Sequence, residues 1–95
     1  MAKYEVMYII RANVDETGIK AVNEEMAAAF TNNGATVLEW KELGLKDLAY
    51  EIEHNRKGYY VWFNVEANAD ACYEFTRRAN INEYVIRHIV VRDER

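Results

Sequence analysis

The stretch RKGYYVWFNV, Arg56–Val65, sets four aromatic rings within five positions, directly after a glycine. Rings and β-branched residues at that density favour extended chain, where successive side chains leave on opposite faces. Tyr59, Val61, Phe63 and Val65 then point one way, and Tyr60, Trp62 and Asn64 the other. The first set is the more uniformly apolar and is expected to pack under helices. That leaves Tyr60 and Trp62 for an open sheet face or a partner. The polar run EHNRKG, residues 53–58, reads as the turn that delivers this strand.

Working outward, TVLEWKELGLKDLAYEI (36–52) is strand material interrupted at Gly44. KYEVMYIIR (3–11) alternates as a strand with Tyr4, Val6, Tyr8 and Ile10 on one face. Between them, Asp15 is placed to cap a helix with Glu16 in its first turn. Ile19, Val22, Met26 and Phe30 recur at helical spacing, and Gly34 in NNGA supplies the left-handed residue that ends the helix. Asn68 or Asp70 is placed to cap a second helix to about Ala79, burying Cys72, Phe75 and Ala79. NINE (80–83) turns the chain into a last strand, YVIRHIVVR.

The order βαββαβ predicts an α+β, ferredoxin-like sandwich: a four-stranded antiparallel sheet with two helices on one face, residues 1–95 forming a single domain. The other sheet face is left open. Many functions share this topology, so the fold alone decides none of them.

Composition narrows the class. Apolar residues make up 51% of the chain, which argues against disorder. No apolar run approaches the ~20 residues of a membrane-spanning helix, and MAKYEVMYII reads as the first strand rather than a secretion signal. A lone cysteine, Cys72, fits a reducing cytoplasm. The formal charge of −4 argues against free-standing nucleic-acid binding. Asp15 to Glu53 holds nine acids against three lysines, whereas His54 to the end holds seven basic residues against six acids.

No catalytic constellation emerges. His54 and His88 are far apart in sequence, and Cys72 reads as a small apolar residue. Glu51 and Glu53 form an acidic strand edge, and there is no phosphate loop, metal-ligand cluster or serine of any kind. The expectation is a non-enzyme with no cofactor and no metal. An RNA-recognition consensus would run basic, Gly, aromatic, small, aromatic. Lys57, Gly58 and Tyr59 satisfy its start, but Tyr60 and Val61 break it. No Asn or Gln is expected beside an exposed ring, so base-specific reading is not anticipated.

GLKDLAYEI (44–52) followed by GYYVWFNVEA (58–67) resembles the signature of the ribosomal protein S6 family, the sixth protein of the bacterial small subunit. KYEVMYIIR and NEYVIRHIVVR (82–92) are similar to that family's ends, so the likeness spans essentially the whole chain. It implies a structural constituent of the small ribosomal subunit in the cytoplasm, touching neither membrane nor small-molecule substrate. It further implies binding to the central domain of 16S-type ribosomal RNA as a heterodimer with the eighteenth small-subunit protein. A basic partner would supply the positive field that this acidic chain lacks.

Two departures stand inside the motif. Asp47 follows Lys46 where the family has a second basic residue, and Glu51 stands where it has Pro. A backbone donor at Glu51 predicts more regular pairing of that strand, which this topology places at a sheet edge. RNA contact is expected at Lys3, Lys46, Arg56, Arg87 and Arg92, all near strand ends or turns. Partner contact is expected at Leu48, Tyr50 and Trp62. The alternative function, a small-molecule-sensing module of the same topology, would want a Gly-rich loop after the first strand. RANVDETG (11–18) offers only Gly18, after the helix has begun.

Overall fold

Alternation and helical spacing produce six elements in a computed structural model that describes residues 1–93. They are β1 (Ala2–Arg11), α1 (Glu16–Thr31), β2 (Thr36–Ile52), β3 (Asn55–Ala67), α2 (Ala69–Ile81) and β4 (Val85–Asp93). The sheet runs β2-β3-β1-β4 with every pairing antiparallel, so β2 and β4 are the edges.

Local chemistry sets the helix ends. Asp15 caps α1, its Oδ1 accepting from the Gly18 N–H at 2.8 Å. Gly18 is small for packing, because a Cβ there would lie 2.5 Å from Val14 Cγ1. At the other end Gly34 takes φ +76°, and the Ala35 N–H returns to the Phe30 carbonyl at 3.0 Å. Of the two candidate caps for α2, Asn68 does the work, accepting from the Ala71 N–H at 3.0 Å.

The ring assignment in β3 holds. Val61, Phe63 and Val65 are fully buried, facing Val6, Tyr8 and Ile10 of β1, with Val22, Met26, Phe30, Phe75 and Ala79 from the helices. Phe63 is the hub. It stacks on Trp40 at 4.8 Å and meets Phe30 edge-on at 5.4 Å, with Tyr8 and Phe75 each at 6.3 Å. Tyr59 departs from its set: it is half-buried, because its hydroxyl reaches out to Glu42 Oε1 at 2.8 Å. The buried Tyr8 hydroxyl donates to Asn23 Oδ1, so this polar group is not stranded beneath the helices.

Two expectations need correction. Ala71, not Cys72, takes the fully buried position in α2; Cys72 is half-buried one position round the helix. The turn after β2 is only Glu53–His54, both at positive φ (47° and 68°), the pattern of a two-residue hairpin turn. Asn55 steadies it by donating to the Ile52 carbonyl at 3.1 Å. The interruption expected at Gly44 is present within β2, where this residue sits at φ +85° and the register shifts.

His88 lies on the helix side of β4, edge-on to Phe75 at 5.9 Å and bonded to Asn80 Oδ1 at 2.9 Å. Burial lowers its pKa below the ordinary imidazole value of 6.5. The folded state therefore takes up a proton less readily than the unfolded chain, and protonation opposes folding. Stability due to this group is complete above about pH 6.5 and is lost as pH falls through the lower folded value. In denaturant titrations, His88→Gln should erase that loss relative to the parent chain. A parent-minus-variant difference independent of pH would refute it.

Candidate nucleic-acid and protein interface

Register fixes which side chains share the face opposite the helices. Lys3, Glu5, Met7, Ile9 and Arg11 of β1 lie across from Glu66, Asn64, Trp62, Tyr60 and Gly58 of β3. From β2, Glu39, Lys41 and Lys46 fall on the same face, opposite Asn64, Trp62 and Gly58. From β4 come Arg87, Ile89, Val91 and Asp93, opposite Ile9, Met7, Glu5 and Lys3. Arg56, two residues before Gly58, shares that side.

Charge is segregated between the two sides. The open face holds six basic residues (Lys3, Arg11, Lys41, Lys46, Arg56, Arg87) with four acids (Glu5, Glu39, Glu66, Asp93). Elsewhere the described residues hold five basic groups against eleven acids. The chain's net negative charge therefore lies off the open face. An acidic groove of about 530 Å³ between α1 and β2, lined by Glu16, Glu24 and Glu42 with Trp40 and Tyr59, sits on that other side. Burial and the nearby Glu42 carboxylate both raise the Tyr59 pKa, so this phenol remains a hydrogen-bond donor.

The open face is also apolar at its centre. Met7, Ile9, Tyr60, Trp62 and Ile89 form a strip, and Ile89 and Val91 are 40% and 51% exposed on the β4 edge. Trp62 is half-buried, with Lys41 Nζ 5.7 Å from its ring centre. Asn64 lies beside Trp62 on this face, and its buried Oδ1 has no hydrogen-bond partner. This overturns the expectation that no Asn or Gln accompanies an open-face ring. The i, i+2 spacing in WFN carried that signal.

The regular edge expected at Glu51 does not form. Pairing with β3 lapses after Asp47↔Lys57 and resumes only at Ile52↔Asn55, so four residues of β2 stand against one of β3. Leu48–Glu51 form an arm rather than a ladder. Leu48 packs over Gly58, its Cδ2 3.5 Å from where a Cβ on that glycine would stand. Tyr50 extends to β4, where the Arg87 Nη1 donates to its hydroxyl at 2.6 Å and the guanidinium carbon lies 5.9 Å from its ring centre.

The candidate residues thus fall into distinct places. Lys46, Arg56 and Arg87 share the open face, and Arg87 and Tyr50 come into direct contact. Lys3 is on that face but flanked in register by Glu66 and Asp93. Arg92 pairs with Tyr4 and projects from the helix side of β4, away from the others. Lys41 belongs with the open-face set and was missed, because along the sequence it looks like one lysine among acids.

The chain and its fold are similar to those of known proteins. The family profile described as ribosomal protein S6 matches residues 3–92. The small ribosomal subunit protein bS6 of Phytoplasma australiense is 45% identical over 93 residues, covering 98% of this chain and all of that protein. The crystal structure of 30S ribosomal protein S6 from Thermotoga maritima superposes with a TM-score of 0.91. It is 22% identical, covering 97% of this chain and 87% of that one, a likeness of fold. With a family match across nearly its full length and a close relative over the same span, the chain belongs to the ribosomal protein S6 family.

Proposed function

We propose that this structural, non-enzymatic protein of the small ribosomal subunit binds the central domain of 16S-type ribosomal RNA as a heterodimer with the eighteenth small-subunit protein. The open sheet face and the Leu48–Glu51 arm form the shared surface. The observation that carries this reading is the coincidence of an apolar strip and the chain's least acidic surface on one unpartnered face. The strip and arm, with Leu48, Tyr50 and Trp62, suit protein packing. Lys46, Arg56 and Arg87 suit phosphate. Six basic groups beside four acids give too weak a field for RNA by themselves, which is why a basic partner is needed.

The isolated chain should therefore show negligible RNA affinity in mobility-shift titration, with binding appearing once the partner is added. Tight, specific binding by the chain alone would overturn this reading. Tyr50→Ala should weaken the heterodimer about tenfold, the usual scale for an exposed aromatic anchor. RNA contact is directed at phosphate, so Arg87→Ala should lower affinity for matched and mutated RNA alike. It should also shallow the log–log salt slope by about 0.7–0.9. Arg92→Ala, on the helix side, should do less.

A further inference from the structure

We infer that Tyr50 is a positioning residue for Arg87, and that its hydroxyl holds the guanidinium ready for an RNA phosphate. This deepens the RNA-binding reading above and rests on it. β2 and β4 are opposite edges of the sheet, with β3 and β1 between them. Side chains from the two edges meet only because the ladder opens at residues 48–51 and lets the arm cross the open face.

The chemistry of the contact distinguishes Arg87 from other cations of the chain. Arg77 and Arg78 are both bound to the Glu74 carboxylate, and Lys41 lies 3.6 Å from Glu39. Their charge is already answered. Arg87 is held by a neutral phenol, which fixes its position and leaves its full charge available. Among the described residues only one N–H of its five is used, at Nη1, so the edge formed by Nε and Nη2 can still receive a phosphate in two-point fashion. The Tyr50 ring, its centre 5.9 Å from the guanidinium carbon, further limits the rotamers of the long side chain. Fixing a free arginine is among the larger entropic costs of binding, and here it is met before the ligand arrives. The same arm carries Leu48 and Tyr50, so a protein that orders the arm also orders the RNA-directed cation.

A double-mutant cycle tests this, with the partner protein saturating so that its own affinity does not enter. RNA affinity and its salt dependence are measured for the parent, Tyr50→Phe, Arg87→Gln and the double variant. Tyr50→Phe keeps the ring and the charge count. It should lower RNA affinity about three- to tenfold, the scale of one ordinary net hydrogen bond, without changing the salt slope. Arg87→Gln should lower affinity and shallow the slope, and the double variant should be no worse than Arg87→Gln. If Tyr50→Phe costs nothing, or costs the same fold in the Arg87→Gln background, the positioning role is wrong while the phosphate contact stands. If Arg87→Gln itself leaves affinity and slope unchanged, the RNA role assigned to Arg87 fails, and the positioning role with it.

Discussion

Phe63→Ala should lower the unfolding free energy by about 3–5 kcal/mol, the range for deleting a buried phenyl ring. The expected loss lies toward the upper end. Phe63 touches four other rings, and those rings come from β1, β2, α1 and α2. A hole at this point is walled by side chains from four elements, so no single one can move to fill it. The adjacent Trp62 gives the internal control. It sits half-buried on the open face with a lysine over its ring, so Trp62→Ala forfeits part of one ring's burial and leaves no enclosed cavity. Chemical denaturation of both variants should separate them by roughly 2 kcal/mol or more. Equal losses would mean that the two faces of β3 are not divided into core and surface as described.

Gly58→Ala should cost about 1–3 kcal/mol, the usual range for overpacking a filled site. Gly58 is buried in β3, and a Cβ there would fall 2.2 Å from Ile9 Cγ2 and 3.5 Å from Leu48 Cδ2. Ile9 is itself buried at the middle of the sheet, so it cannot swing away without disturbing β1. The remaining relief is for Leu48 to lift, which would carry the arm and Tyr50 off the sheet. The variant should accordingly lose heterodimer affinity beyond what its stability loss explains, measured well below its melting temperature. A variant as stable as the parent would show that Ile9 repacks freely. The glycine at the second position of an RNA-recognition consensus is thus required here for a packing reason: side chains of β1 and β2 converge on the space its missing side chain leaves in β3.

Much of the architecture was legible because it follows from short-range rules. The 2-residue period of 59–65 and of 4–10 assigned both sheet faces of the central strands correctly, since alternation is a property of the extended backbone alone. Asp15 and Gly34 were readable as helix ends because capping involves atoms within a few residues of each other. Cys72 was misplaced by one position because a helix face wide enough to admit Ala71 admits either residue, and the packing of α2 against the sheet makes the choice.

The site was less legible, for a different reason. Lys46, Arg56, Arg87 and Arg92 are equivalent in the sequence, all charged and all near strand ends, yet the β4 register turns Arg92 to the helix side and Arg87 to the open face. Lys41 joins the open face only through its pairing with Trp62. The arm at 48–51 replaced a ladder that the backbone donor of Glu51 could have made, because Leu48 gains an apolar seat over Gly58 and Tyr50 finds Arg87. By itself the sequence determined the order of elements, the division of each central strand into two faces, and the family. The tertiary structure decided which charges share a surface and that Tyr50 meets Arg87, 37 residues away, because side chains from opposite sheet edges meet only after every intervening strand is in register.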